Sequence, residues 1–91
     1  MCKTRELIIN NELGLHARPA TYFVSLTADY DCEVSVTNLN NGTIANGKSI
    51  ISMLMLNAPK GTRLKLEVSG DLEDELIDKL SALIESGFNE T

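Results

Sequence analysis

The alternation of apolar and polar residues along the chain predicts its first two β-strands. Residues 6–10 form a short β-branched run followed by turn-forming residues, which is typical of a strand. Residues 32–37 alternate strictly, so Cys32, Val34 and Val36 would face inward while the residues between them face water. These two strands are separated by a longer segment.

A hairpin and a further strand follow in the same pattern. Residues 40–43, Asn-Asn-Gly-Thr, predict a turn, because Asn-Gly tolerates the positive φ angles of a tight hairpin. The short return strand would span residues 43–45. Beyond a turn at residues 59–61, another strand is predicted where apolar residues alternate with charged ones, at Leu64, Leu66 and Val68.

A helix with a well-defined start is predicted over residues 17–28. Its buried stripe recurs at helical spacing and comprises Ala20, Phe23, Val24 and Thr27. Proline is tolerated only in the first turn of a helix, so Pro19 requires this helix to begin at about residue 17. His16 then falls at or beside the N-cap.

A second, shorter helix is predicted over residues 49–56, with Ser49 as its N-cap. At 100° per residue, Met53 and Leu56 share one side of it. Four further apolar residues occupy the rest, and we name them the apolar patch: Ile50, Ile51, Leu54 and Met55. A small domain cannot readily bury both sides of a helix, so we expect the patch to dock partners, with ordinary core as the alternative.

The third helix is predicted to start from Asp71 as its N-cap. Three acids follow that complement the positive end of the helix dipole: Glu73, Asp74 and Glu75. The buried stripe would comprise Leu72, Leu76, Ile77, Leu80, Leu83 and Ile84. Gly87 would follow the helix end, and residues 88–91 would fray, with packing of Phe88 as the alternative.

The element order β-α-β-β-α-β-α predicts an α+β fold with one sheet and its helices on a single face. The other sheet face would be open to water, which suits the alternation in the second and fourth strands. Ninety-one residues predict one domain over 1–91, with its core at about 5–88 and frayed termini.

Composition narrows the classes of function. The net charge of −5, from 13 acidic and 8 basic residues, argues against nucleic acid as the main partner. No apolar segment approaches the roughly 20 residues of a membrane span, and residues 1–5 have no apolar run behind them, so we expect no signal peptide. Cys2 and Cys32 match no metal motif, so free thiols in a reducing compartment are expected. We expect a soluble, cytoplasmic monomer without a metal or cofactor.

His16, the only histidine, and Arg18 together suggest a site for a phosphoryl group. A helix N-terminus gathers unpaired backbone N–H groups and the positive dipole end, so it binds anions. The Arg18 guanidinium adds a planar fork of donors that suits phosphate oxygens. Imidazole can be a neutral nucleophile at physiological pH. The alternative is that His16 merely caps the helix and Arg18 is a solvated charge.

Residues 42–49, Gly-Thr-Ile-Ala-Asn-Gly-Lys-Ser, match the phosphate-binding pattern G-x-x-x-x-G-K-[ST] letter for letter. Such loops belong to parallel sheets built from repeated βαβ crossovers, which this chain is too short to form. Because Asn41-Gly42 also predicts a hairpin turn, we interpret Lys48 and Ser49 as a basic residue ahead of a helix cap. A small nucleotide-binding enzyme is kept as an alternative function.

Residues 14–20, Gly-Leu-His-Ala-Arg-Pro-Ala, resemble the active-site signature of the histidine-containing phosphocarrier protein (HPr) family of the bacterial phosphotransferase system. Residues 47–50 and 54–56, followed by Gly61, resemble the family's second signature, around its regulatory serine. The resemblance extends over about residues 5–90. It implies an open-faced β-sandwich, with an antiparallel four-stranded sheet and three helices on one face.

The resemblance implies a phosphocarrier in sugar uptake, not an enzyme with turnover of its own. His16 would accept a phosphoryl group on Nδ1 from phospho-enzyme I, which draws on phosphoenolpyruvate, and would pass it to a histidine of an enzyme IIA domain. Arg18 and the backbone amides of Ala17 and Arg18 would hold the phosphate. Ile51, Leu54 and Met55 of the apolar patch fall where the family docks its partners.

Ser49 matches a serine that some bacteria phosphorylate with an ATP-dependent kinase. A phosphate there would add charge beside the apolar patch and so affect partner binding. A plain helix cap is one alternative. Another is an interaction module in which Ser49 is the switch and His16 is unused.

Two stretches depart from the common pattern of the family. Residues 38–46 look longer than in many relatives, so we expect an extended hairpin there without an effect on the chemistry. Residues 11–16 and the ending Ser-Gly-Phe look closer to the family's nitrogen-branch paralogue, NPr. A nitrogen-regulatory phosphorelay is therefore the alternative to sugar uptake.

Overall fold

The structure, a computed structural model, describes residues 2–89. Over these residues the chain forms four strands and three helices in the predicted order. They are β1 Cys2–Ile8, α1 Ala17–Ala28, β2 Cys32–Asn38, β3 Ile44–Asn46, α2 Ile50–Leu54, β4 Arg63–Gly70 and α3 Glu73–Glu85.

The strands form one antiparallel sheet in the order β1-β4-β2-β3. Leu64, Leu66 and Val68 of β4 are buried, whereas Lys65 and Glu67 between them are only half-buried. The helices therefore cover one face of the sheet and leave the other open, and the predicted α+β fold is confirmed. The alternation of charged and apolar residues in β4 separates the two faces.

Each helix contributes large side chains to a single apolar core. Phe23 of α1 and Met53 of α2 are almost fully buried, and so are the inward residues of α3: Leu76, Ile77, Leu80 and Ile84. Val24 and Leu83, both predicted in the buried stripes, are only partly buried against this core. Among residues 2–89, no helix has both the length and the apolar character needed to cross a bilayer.

Strand β1 starts four residues earlier than predicted, at Cys2 instead of residue 6. Its first half faces helix α3 with charged side chains, so an apolar pattern could not reveal it. Lys3 Nζ lies 3.2 Å from Asp74 Oδ1, and Arg5 Nη2 lies 3.0 Å from Asp78 Oδ1. These exposed pairs, together with the β4 ladder, bring the N-terminal strand against α3.

The prediction of Asp71 as the N-cap of α3 is wrong. The cap is Leu72, in the left-handed region with φ 60° and ψ 32°, and the helix begins at Glu73. The side chain of Leu72 is 65% exposed, so its place in the buried stripe was also wrong. Glu73 Oε1 instead accepts a hydrogen bond from the Gly70 amide at 3.2 Å, which ties the turn to the first residue of the helix.

Helix α3 ends in a Schellman motif at Gly87, as its position predicted. The Phe88 amide donates to the Leu83 carbonyl at 2.8 Å, and the Gly87 amide, with φ 71°, donates to the Ile84 carbonyl at 3.0 Å. Phe88 is fully buried, so the packing alternative for this residue is confirmed. Of the other residues expected to fray, 2–4 belong to strand β1, and the Asn89 amide donates to the Ser86 hydroxyl at 3.3 Å. Met1, Glu90 and Thr91 lie outside the described residues.

The hairpin and α2 differ from prediction only at their boundaries. Strand β3 is displaced by one residue, to Ile44–Asn46, and α2 ends at Leu54 instead of residue 56. Asn38 closes the hairpin, because its amide donates to the Thr43 carbonyl at 2.8 Å. The Asn38 side chain is buried and donates to the Leu56 carbonyl at 2.9 Å, so the same residue fixes the chain that follows α2.

Candidate functional site

His16 is the N-cap of α1, as the position of Pro19 predicted. Its backbone is extended, with φ −117° and ψ −165°, and its side chain makes no capping hydrogen bond to the helix. The first helical hydrogen bond runs from the Ala20 amide to the His16 carbonyl at 3.0 Å. His16 is therefore the N-cap by backbone position, and its half-buried imidazole lies at the helix N-terminus without a capping hydrogen bond.

Two backbone amides precede that first helical hydrogen bond. Pro19 has no N–H, so within the first turn these donors belong to Ala17 and Arg18. Both residues are exposed, whereas Pro19 is buried on the core side of the first turn. The positive end of the α1 dipole and two N–H groups are thus presented beside the imidazole.

Arg18 supplies the positive side chain at this helix end. It is exposed and lies along a cavity of about 580 Å³ between the segment before α1 and the end of α3, where Tyr22 and Glu85 also contribute to the wall. The described first turn of α1 contains no acidic residue. An anion at His16 would therefore meet the amide dipoles of the first turn without a carboxylate from that turn.

Two contacts that the sequence pattern did not predict hold the loop that carries His16. The Asn11 side chain, which is buried, donates to the Gly14 carbonyl at 2.7 Å. The Leu15 amide donates to the Ala58 carbonyl at 2.9 Å. An asparagine three residues before a glycine is a turn signal that could have pointed to Asn11. The partnership with Ala58 spans 43 positions and had no local signal.

Gly14 allows this loop to approach the segment after α2. Its φ is 69°, a region that favours glycine, and a Cβ there would lie 2.6 Å from the Ala58 carbonyl oxygen and 2.7 Å from the Pro59 Cα. Both neighbours are backbone atoms, which cannot move aside as a flexible side chain can. His16 is therefore positioned by a backbone-to-backbone contact two residues before it.

The apolar patch is exposed, as its all-round apolar pattern predicted. Ile51 and Met55 are 72% and 67% exposed, and Ile50 and Leu54 are also open to water. Met53 and Leu56, on the other side, are buried. Helices α1 and α2 pack against each other, so the apolar patch lies on the helix next to the one whose N-terminus carries His16.

Ser49 caps α2, as predicted. Its Oγ accepts a hydrogen bond from the Ser52 amide at 3.2 Å, and its side chain is half-buried. The Ser52 hydroxyl in turn accepts from the Asn46 amide at 2.8 Å. Capping α2 is thus a structural role for Ser49, and the serine lies directly before the apolar patch.

The nucleotide-binding pattern at residues 42–49 has a structural explanation. Strand β3 pairs antiparallel with β2 across a hairpin, which is not the parallel βαβ arrangement of nucleotide-binding loops. Gly47 has no space for a side chain, since a Cβ would lie 2.4 Å from Val34 Cγ1. Lys48 Nζ donates to the Tyr30 carbonyl at 2.5 Å, so the lysine is used within the fold.

The two cysteines occupy different environments. Cys2 is exposed on β1 and Cys32 is buried on β2, and both are free thiols. Burial raises the pKa of the Cys32 thiol, and its Sγ donates to the Asp71 carbonyl at 2.9 Å. Cys32 is therefore a packing residue with little thiolate character.

Comparisons with known proteins identify the family and the fold of the chain. The family model described as PTS HPr component phosphorylation site matches residues 3–86. The chain is 45% identical to the phosphocarrier protein HPr of Pseudomonas aeruginosa over 85 residues, which cover 93% of each protein. It is 42% identical to the phosphocarrier protein NPr of Klebsiella oxytoca over 82 residues, or 90% of each. The crystal structure of HPr-C-His from Thermoanaerobacter tengcongensis superimposes with a TM-score of 0.90 at 37% identity, covering 98% of both chains.

Proposed function

The chain belongs to the HPr family of the phosphotransferase system, and on this premise we propose that it is a phosphocarrier that accepts a phosphoryl group on His16. The family's general role is phosphotransfer. The observation that carries the proposal is the position of His16, the N-cap residue of α1, whose first turn presents the backbone amides of Ala17 and Arg18. The chain would act as a cytoplasmic, monomeric, single-domain carrier without turnover of its own.

In the proposed reaction, His16 Nδ1 attacks the phosphorus of phospho-enzyme I, whose phosphoryl group derives from phosphoenolpyruvate. A bond forms between Nδ1 and phosphorus as the donor's N–P bond breaks, and the donor histidine leaves with that electron pair. The reverse chemistry passes the group to a histidine of an enzyme IIA domain. Phosphoryl transfer of this kind depends mostly on positioning and electrostatic stabilisation.

The first turn of α1 supplies that stabilisation. The amides of Ala17 and Arg18 and the Arg18 guanidinium would donate to the phosphoryl oxygens. Their exposure lets the group remain accessible to a second protein, which a carrier requires and a sequestered active site does not. The shape of the site thus supports a relay role over turnover of a small substrate.

The apolar patch would dock enzyme I and the IIA domain in turn. Ile51→Asp should weaken both complexes and leave the fold intact, because the Ile51 side chain is 72% exposed. Calorimetry with each partner and a thermal melt measure the two effects. Unfolding of the variant would make the patch part of the core, contrary to the proposal.

Ser49 is proposed as a regulatory site for a serine kinase. Its location at the α2 N-terminus means that a phosphate would be compatible with the helix dipole and would place charge next to Ile50 and Ile51. Ser49→Asp should reduce the rate of His16 phosphorylation, whereas Ser49→Ala should only weaken the α2 cap. Equal rates for Ser49→Asp and Ser49→Ala would argue against regulation at this serine.

For the acceptor, we propose an enzyme IIA domain of sugar uptake. The nitrogen-regulatory branch is the second candidate, favoured by residues 11–16 and by the 42% identical NPr relative. Phosphorylated chain mixed with a sugar-specific and a nitrogen-branch IIA domain should label the sugar-specific domain faster. The opposite preference would move the protein to the nitrogen branch.

The phosphocarrier role is tested by mass spectrometry after the chain is mixed with enzyme I and phosphoenolpyruvate. We expect one added phosphate that is labile to acid and that disappears in His16→Ala. A wild-type chain that takes up no phosphate would refute the role. A His16→Ala variant that is fully functional in cells would instead support an interaction module switched at Ser49.

A further inference from the structure

The two helices that flank the candidate site, α1 and α2, carry a single charged residue. Among the described residues of α1 and α2, Arg18 is the only charged one. Helix α3 has six charged residues in thirteen positions. The chain as a whole is 23% charged, so two neighbouring helices with a single charge form a distinct region of the surface.

One stripe of α1 continues the apolar patch. Ala17, Thr21, Val24 and Ala28 recur at steps of three and four, so they share one side of the helix. The buried Thr27 borders this stripe and donates its hydroxyl to the Gly47 carbonyl at 2.8 Å, just before α2. Leu26, on the opposite side of α1, shares a cavity with Lys79 and Ala82 of α3, so the stripe is on the α2 side of the helix. We name this stripe and the apolar patch together the neutral face.

The charges nearest to the neutral face lie at its border. Lys48 precedes α2, and its ammonium group is directed to the Tyr30 carbonyl at 2.5 Å. Asp29 follows Ala28 as the C-cap of α1. Arg18 lies at the His16 end, where the proposed phosphate would use it. The interior of the face therefore offers a partner no ion to pair with.

Resting on the proposed function, we infer that the neutral face binds a partner surface that is apolar and carries no charged side chain opposite it. A partner carboxylate or ammonium placed against Ile51 or Val24 would lose water without gaining a counter-ion, which disfavours a charged partner surface. Binding would then come from burial of apolar area. Attraction between ions would contribute little to the affinity or to the rate of association.

The salt dependence of binding tests this inference. NMR titration of the chain with unphosphorylated enzyme I at 50 mM and 500 mM sodium chloride should give an unchanged or lower Kd at high salt. Ion pairs across an interface are screened over this range, because the Debye length falls from about 14 Å to about 4 Å. A Kd more than threefold higher at 500 mM would overturn the inference.

The sign of an added charge gives a second test. Thr21 is exposed on the neutral face, so Thr21→Lys and Thr21→Glu should both raise the Kd for enzyme I, each by about tenfold. Thr4→Lys, the same change on the open face of β1, should leave the Kd unchanged. Tighter binding by either Thr21 variant would reveal an opposite charge on the partner and contradict the inference.

Failure of this inference can be separated from failure of the proposed function. If His16 takes up phosphate from enzyme I while binding weakens with salt, the carrier role stands and the neutral partner surface is wrong. If wild-type His16 takes up none, the carrier role itself is wrong, and the inference that rests on it is withdrawn with it.

Discussion

The N-termini of α1 and α3 are built alike but carry opposite local charge. In each, a glycine lies two residues before the N-cap, and a Cβ on it would lie 2.6 Å from a backbone oxygen, of Ala58 for Gly14 and of Asp31 for Gly70. In each, the N-cap side chain makes no capping hydrogen bond. Helix α3 then places three acids in its first turn, whereas the described first turn of α1 has none.

This difference separates a structural helix end from one that is available to a ligand. The Glu73 carboxylate accepts a hydrogen bond from the Gly70 amide. Together with Asp74 and Glu75, it places negative charge at the positive dipole end of α3. The first turn of α1, next to His16, has no acidic residue, and Arg18 adds a positive charge to the positive dipole end of the helix. An external anion can therefore interact with the positive dipole end of α1 as the carboxylates of Glu73, Asp74 and Glu75 interact with that of α3.

Giving α1 an acid of its own should produce the largest effect on function. In Ala17→Glu the new carboxylate would interact with the helix dipole and repel a phosphoryl group at His16. We expect phosphorylation by enzyme I to slow by about a hundredfold or more, while the melting temperature is unchanged or slightly higher. Rapid-quench measurement of phosphohistidine and a thermal melt check the two halves of this prediction.

The matched control is Ala82→Glu, the same substitution on the exposed surface of α3. It should leave the rate of phosphorylation near that of the wild type. A similar loss in both variants would mean that net charge, and not the α1 N-terminus, governs the reaction.

Removing the positive side chain at α1 should have the next largest effect. In Arg18→Ala we expect the rate of phosphorylation to fall roughly ten- to a hundredfold, because the guanidinium would stabilise the phosphoryl group in the transition state. The Kd for enzyme I should change little. Arg63→Ala serves as control, since Arg63 is exposed on β4 and pairs with Glu6 at 3.2 Å. A larger change in Kd than in rate would make Arg18 a docking residue.

The backbone contact before α1 can be tested through stability. Gly14→Ala combines left-handed backbone strain with a Cβ placed against backbone atoms, so unfolding should become easier by about 3 kcal/mol. Gly42→Ala has φ 80° but no heavy atom within 4 Å of the new Cβ, and should cost only about 1–2 kcal/mol. Urea denaturation of both variants measures the difference, and equal losses would refute the contact.

The smallest effect is expected from the acid cluster of α3 at low pH. A hydrogen bond from the Tyr30 hydroxyl, and then the charge of Lys79, lower the pKa of Glu75 below its ordinary value of 4.5. Ionised Glu75 therefore stabilises the fold above about pH 4.5, and this contribution is lost as the pH falls through the lowered pKa. Melts of wild type and Tyr30→Phe should differ at pH 6, and the difference should shrink steadily as the pH falls below 4.5. A difference that does not depend on pH would assign it to packing of Tyr30.

The same two helix ends show what could be predicted from the sequence. Pro19 restricts where α1 can begin, so its start and the position of His16 were predicted correctly. At α3 the preference for aspartate as an N-cap gave Asp71, but the chain turns through Leu72 with a positive φ that propensity does not predict for leucine. A covalent restriction was thus a better guide than a statistical preference.

The contacts that the sequence did not reveal are those between distant segments. Lys3 and Arg5 pair with Asp74 and Asp78 of α3. These partners allow a charged segment to form a strand against the helix. Ala58 fixes the loop before His16 through a hydrogen bond to Leu15. The exposure of the apolar patch, in contrast, followed from its own pattern, because a domain this small cannot readily bury both sides of a helix.

The central claim is that the α1 N-terminus, and not that of α3, receives a phosphoryl group at His16. It is tested most directly by ¹H–¹⁵N spectra of the chain before and after treatment with phosphoramidate, a small phosphoryl donor that requires no partner protein. We predict the largest shifts at the amides of Ala17 and Arg18, and none at the amides of residues 73–75. A modified chain in which the Ala17 and Arg18 amides do not shift would contradict the claim.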